Sequence, residues 1–136
     1  MITTRLVHVG VRATDLEATI RFWRDALGLE VAGTMPGTYD LTDGYRNFRV
    51  FQHVGPARPP HVSGMLDYLH VGVVVGDLPA TARRCRELGF RIISDGVDGD
   101  AYAPEDPKHD SFKVEDPDGI VVDVAARPSQ WPGIRP

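Results

Sequence analysis

The stretch HVGVRATDLEATIRFWR, residues 8–24, is written a second time as HVGVVVGDLPATARRCR, residues 70–86. Ten of the seventeen positions are identical at a fixed offset of 62. One residue is then dropped and the match resumes, with Leu27-Gly28 against Leu88-Gly89. A 136-residue chain with a repeat near half its length is expected to be one fold built from two equal modules. The repeat also puts one histidine, His8 or His70, on each of two equivalent strands. Symmetry can then bring two imidazoles to one point.

Around the first copy, residues 6–11 alternate. Val7, Val9 and Val11 share one strand face, and Leu6, His8 and Gly10 share the other. A helix follows from Thr14, with Thr14-x-x-Glu17 as its capping box. Leu16, Ile20, Trp23 and Leu27 form its apolar stripe, and Gly28 closes it in the left-handed position. Strands are expected over 29–32, 38–42 and 47–54. Residues 55–64 (GPARPPHVSG) read as a linker. The second copy predicts a strand over 68–75 and a helix over 78–88, its stripe being Leu78, Ala82, Cys85 and Leu88. Further strands are expected over 90–94, 101–103, 111–115 and 120–125. The turn Asp116-Pro117-Asp118-Gly119 precedes the last of them. The modules are therefore residues 1–54 and 66–126, joined by a linker at 55–65 and followed by a tail at 127–136. Each is βαβββ, and together they form one structural domain.

Composition narrows the function. At 42% apolar and 25% charged the chain reads as an ordinary globular protein, and no apolar run is long enough for a membrane span. The first residues lead straight into a strand pattern without a secretory signal. Cys85 is the single cysteine, so no internal disulfide forms, and a cytoplasmic location is expected. Cys85 aligns with Trp23 and reads as core. A net charge of −4 argues against nucleic acid as a partner.

The candidate site grows from the two histidines. Gly10 and Gly72 lie two residues beyond them on the same face, where a missing side chain leaves room beside each imidazole. Two imidazoles need further donors to hold a divalent ion firmly. Asp123, set among Val121, Val122 and Val124, is an unusual strand residue, because a buried lone carboxylate is costly. It either points to solvent or has a cation partner. In the first module, placing Gln52 opposite Asp123 sets Val50 against Val121 and turns His53 away from the site. A one-residue slip would exchange Gln52 for His53. Proton abstraction would need a base, which Gln52 cannot be. Asp123, His109, Glu105 and Tyr102 are the candidates. Tyr39, Tyr45, Arg46, Asn47, Arg49 and Phe51 flank a hairpin that could meet an anionic or aromatic substrate.

The doubled βαβββ pattern, a histidine in the first strand of each module and the Asp-Pro-Asp-Gly turn before an acidic strand resemble the vicinal oxygen chelate superfamily. That superfamily includes glyoxalase I, methylmalonyl-CoA epimerase, extradiol dioxygenases, fosfomycin-inactivating transferases and bleomycin-binding proteins. The resemblance implies an α+β fold, an open eight-stranded cup with helices outside, and a homodimer. By position it places the metal ligands on His8, Gln52, His70 and Asp123, the last standing where the family usually has glutamate. It implies one divalent ion, Mn, Fe, Co, Ni or Zn, and a small oxygenated substrate polarised by that ion, in lyase or isomerase chemistry. Asp123 and His109 are the catalytic candidates. Two other readings stay open. One is an Fe(II) extradiol-type dioxygenase using His8, His70 and Asp123, and the other is a metal-free protein that sequesters an antibiotic or other small molecule.

Overall fold

A computed structural model of the chain describes residues 4–56, 70–93, 102–105 and 109–134. The chain divides into two compact units, residues 1–59 and 60–136. Residues 57–65 of the linker expected at 55–65, His61 among them, lie outside the described residues. Among those described, no helix is long and apolar enough to cross a membrane.

The first unit runs β1 (His8–Ala13), α1 (Leu16–Ile20), a π-helical turn (Arg21–Ala26), β2 (Glu30–Met35), β3 (Thr38–Thr42) and β4 (Asn47–Gln52). Its sheet has the order β1-β4-β3-β2, with β1 parallel to β4. The helix is capped by Asp15, whose carboxylate accepts from Ala18 N at 3.0 Å, and not by the expected Thr14 box. Asp15 is the repeat-matched residue, and Asp77 caps the second helix through Ala80 N at 2.9 Å. A shorter carboxylate at the N-cap reaches the exposed amides and also favours the positive end of the helix.

The dropped residue in the repeat has a structural counterpart. The first helix carries one residue more than the second before its closing glycine. It absorbs this as a π turn, with Leu27 N donating to Phe22 O at 3.2 Å. The apolar stripe therefore still lands on the sheet. Ile20, Phe22, Trp23 and Ala26 are fully buried, and Trp23 lies 4.3 Å from the Phe48 ring. Gly28 and Gly89 end the two helices at φ of 85° and 82°, which a side chain would resist.

The second unit repeats the order as β5 (His70–Val74), α2 (Leu78–Glu87), β6 (Ile92–Ile93), β7 (Ser111–Glu115) and β8 (Val121–Ala125). Its sheet order is β5-β8-β7-β6. Cys85 is fully buried with Ala82, Val114, Val122 and Val124, as its alignment with Trp23 requires. Burial pushes its thiol up to about 11. Tyr102 and Ala103 belong to no strand, contrary to the expectation over 101–103. The predicted turn before β8 forms. Asp116 is buried, and its Oδ1 accepts from Asp118 N at 2.8 Å and Ile120 N at 2.9 Å.

Strand alternation gives each sheet two faces. The apolar face of the first unit carries Val11, Ala13, Leu41, Phe48 and Val50, all buried. The other face carries His8, Gly10 and Arg12 of β1, Asn47, Arg49 and Phe51 of β4, and Thr38, Asp40 and Thr42 of β3. In the second unit the matching face carries His70, Gly72 and Val74 of β5, Val121, Asp123 and Ala125 of β8, and Ser111, Lys113 and Glu115 of β7.

Candidate functional site

Parallel pairing of first and last strands lines the candidate residues up in rows. In the second unit His70 pairs with Val121, and Gly72 with Asp123. The Asp123 side chain leans back to His70, and His70 Nε2 stands 2.5 Å from Asp123 Oδ2. On the other side Lys113, directly across β7 from Asp123, donates from Nζ to Oδ1 at 2.5 Å. Of the two alternatives open for Asp123, solvent or a cation partner, it takes the second. Its burial works against ionisation, but the hydrogen bonds from Lys113 and His70 outweigh it and hold the carboxyl below its ordinary range.

The first unit is built on the same plan with the charges exchanged. His8 pairs with Asn47, and Gly10 with Arg49. Arg49 therefore takes the place that Asp123 takes in the second unit. Across β3 it meets Asp40, with Nε to Oδ1 at 2.7 Å and Nη2 to Oδ2 at 2.8 Å. The fork from Arg49, with a further hydrogen bond from Asn47, lowers the Asp40 carboxyl to about 2.

Gln52 leaves the site. It pairs with Ala13, three residues beyond the row of Arg49, and so lies on the opposite sheet face from His8. Its Nε2 donates to Thr14 O at 3.0 Å and to His53 O at 3.2 Å. The placement of Gln52 opposite Asp123 matched apolar neighbours. Hydrogen-bond register decides instead, and it matches Val50 with Val124. His53 lies just beyond β4, with Nε2 2.7 Å from Pro56 O.

His8 is oriented through Asn47. Asn47 Nδ2 donates to Asp40 Oδ1 at 2.8 Å, which turns its Oδ1 toward His8 Nδ1 at 2.5 Å. An amide oxygen can only accept, so Nδ1 carries the proton and the lone pair of the neutral ring sits on Nε2. That nitrogen lies 3.6 Å from where a Cβ on Gly10 would stand. The space beside the glycines is not empty, however. Phe51 Cε2 comes within 3.3 Å of that Cβ position, and Trp131 Cζ2 within 2.5 Å of the one on Gly72.

The other base candidates separate. Tyr102 is buried, which raises its pKa, and its hydroxyl finds no hydrogen-bond partner among the described residues. Glu105 is exposed, 3.7 Å from Arg86. His109 lies in an exposed bend ahead of β7. Of the hairpin group, Arg46 pairs with Asp43 in the turn, Tyr39 donates to Glu17, and Tyr45 is exposed. Sequence reasoning missed Lys113 and Asp40. Each is a charged strand residue whose partner is fixed only by the pairing register, so the sequence carried no direct signal for it.

Within either unit, among the described residues, no three His, Cys, Asp or Glu side chains stand close enough to enclose an ion. The donor chemistry fits a metal in part. His70 and Asp123 converge, and His8 offers an oriented Nε2. An imidazole and a carboxylate are donors that suit a transition ion. In the first unit Arg49 holds the place that matches Asp123, and a guanidinium does not suit an ion, nor does Gln52 on the opposite sheet face.

The family model described as Glyoxalase/Bleomycin resistance protein/Dioxygenase superfamily matches residues 5–124. No curated protein matches. Solved structures with the same fold include the trypanothione-dependent glyoxalase I of Leishmania major, at 20% identity and a TM-score of 0.64, covering 94% of this chain and 90% of that one. The fosfomycin resistance protein FosX of Mesorhizobium loti matches at 15% identity and 0.67, covering 93% and 94%. The lactoylglutathione lyase of Agrobacterium tumefaciens matches at 20% and 0.61, covering 95% and 97%.

Proposed function

Because the chain belongs to the Glyoxalase/Bleomycin resistance protein/Dioxygenase superfamily, we propose that it is a metal-dependent enzyme acting on a small oxygenated substrate. His8, His70 and Asp123 are its metal donors. The observation that carries this reading is the His70–Asp123 pair, an imidazole nitrogen and a carboxylate oxygen brought to 2.5 Å by neighbouring parallel strands. A bound divalent ion would supply Lewis-acid polarisation of a substrate oxygen, for lyase or isomerase chemistry. The chain's own residues do the rest. Lys113 keeps Asp123 ionised and adds a positive charge for an anionic oxygen. Asn47 holds His8 through Nδ1, with Nε2 beside Gly10. Asp123 and His109 are the groups proposed to move protons. The functional form is proposed to be a homodimer.

The test is the metal content of the protein purified without chelator, by elemental analysis, on wild type, His8→Ala and His70→Ala. Near-stoichiometric metal in wild type, lost in both variants with the far-UV spectrum kept, is the expected result. Iron, with oxygen uptake on catechols, would move the assignment to a dioxygenase using the same three donors.

A second reading has its own observation. Lys113 already neutralises Asp123, and Arg49 stands at the matching place in the first unit. A site whose carboxylate is already paired this way could sequester a small molecule without an ion. Wild type that stays free of metal after incubation with Mn, Fe, Co, Ni and Zn would select this reading over the first.

A further inference from the structure

We propose that Trp131 is a specificity-determining residue, an indole wall beside His70 and Asp123 that receives a planar, unsaturated part of the substrate. This deepens the proposed function and rests on it for the roles of His70 and Asp123.

The first observation is the seat of the ring. Gly72 shares a face with His70 and sits in the row of Asp123. Trp131 Cζ2, Cε2 and Cη2 lie 2.5, 2.9 and 3.0 Å from where a Cβ on Gly72 would stand. Any side chain at residue 72 would displace the indole. The ring is thus held against the backbone of the strand that carries the histidine. It is only half-buried, whereas the other tryptophan, Trp23, is fully enclosed.

The segment that delivers it is anchored. Ala126 N donates to Asp110 O at 3.0 Å, and Arg127 pairs with Asp110 at 2.8 Å. Pro128–Gln130 then make a 3-10 turn, and Trp131 N closes on Pro128 O at 2.9 Å. The tail turns the chain back and places the indole on the sheet face.

Comparison of the two units supplies the second observation. Phe51 covers Gly10 in the first unit, and it comes from β4 in the row of Arg12. The corresponding row of the second unit is Val74 with Ala125, and alanine supplies no ring. Trp131 from the tail takes the place over Gly72 instead. Both histidine–glycine pairs therefore carry an aromatic ring, from unrelated positions in the chain. Local strand packing does not explain such a replacement, whereas a requirement for a ring beside each histidine does. Trp131 also lies past the residues that match the superfamily, which end at 124.

A half-exposed indole receives flat π-systems by offset stacking. Lys113, in the same row as Gly72 and Asp123, adds a positive charge. The matching ligand is a small anion whose neighbouring oxygens are carried on a planar ring. Salicylate and cis-2-hydroxycyclohexanecarboxylate form the test pair, with the same charge and neighbouring oxygens on a flat or a saturated ring. Binding is measured by titration calorimetry on the full chain as purified, for wild type, Trp131→Ala, Trp131→Phe and Gly72→Ala, with metal content and thermal melting on the same samples. Wild type is expected to prefer salicylate about tenfold. Trp131→Ala and Gly72→Ala should lose most of that preference, and Trp131→Phe should keep part of it. Metal content should be unchanged in all three variants, since the donors are intact. Equal binding or no binding of the two ligands by wild type overturns the proposal. So does an undiminished preference in a folded Trp131→Ala protein. Absence of metal from wild type would bear on the proposed function alone, because the ring preference is read with or without an ion.

Discussion

Arg49 and Asp123 stand at the same place in the two halves of the repeat. Arg49 faces Gly10 and Asp123 faces Gly72, each two residues along from its histidine's row. Each is paired with the opposite charge on the next strand, Asp40 and Lys113 respectively. Duplication kept the backbone plan and the ion pair but exchanged its sense. Among the described residues, the histidine of the second half is the one hydrogen-bonded to a carboxylate.

This relationship predicts that Gln52 is not a ligand. Gln52→Ala should leave metal content at the wild-type level, by the same elemental analysis that finds it lost in Asp123→Ala. Its Nε2 hydrogen bonds to Thr14 O and His53 O make the cost one of stability, about 1 kcal/mol in urea unfolding. Loss of metal from a folded Gln52→Ala protein would contradict the register.

Asn47 predicts a graded effect. Removing the group that holds a ligating imidazole weakens metal affinity about 10–100-fold without abolishing it. Asn47→Ala should do this in competition titrations with a chromogenic chelator. Nitrogen-15 shifts should show the His8 proton on Nδ1 in wild type and shared between the ring nitrogens in the variant. A wild-type ring protonated on Nε2 alone would refute the orientation derived from the Asn47–Asp40 bond.

Asp40 predicts an acid-dependent contribution to stability. Its carboxyl falls from 3.8 to about 2 on folding, chiefly through the hydrogen bonds from Arg49. A depressed value means the folded state holds fewer protons than the unfolded one in that interval. The stabilisation is therefore present in full above 3.8 and is lost as pH falls through about 2. The stability gap between wild type and Asp40→Asn, read by urea unfolding, should narrow over that window and stay constant above it.

Cys85 should be chemically silent in the native protein. It is fully buried, and its thiol is pushed up to about 11 by burial, so the thiolate population at neutral pH is very small. Labelling by an aromatic disulfide reagent should be slow in buffer and rapid in denaturant. Fast native labelling would mean that the second helix opens readily.

Much of this protein was legible in its sequence. The repeat of residues 8–24 at 70–86 determined two βαβββ modules, because identical local patterns of alternation, capping and closing glycine fold alike. Even the dropped residue carried meaning, and it appears as the π turn at Arg21–Ala26. That Asp123 either faces solvent or has a cation partner, and that Cys85 is core, followed from the cost of burying charge and the placement of the apolar stripe. The tertiary structure decided the remainder. Whether Gln52 or Arg49 stands beside Gly10 depends on the register of two strands about forty residues apart in the chain, which local pattern does not encode. Lys113 and Asp40 became site residues only when strand pairing set them across from their partners. Trp131 reached Gly72 because the tail turns back after β8, through a 3-10 turn whose destination no periodicity announces. Local signals specify elements because their energetics are local. Partners from distant parts of the chain meet only when the whole sheet is paired.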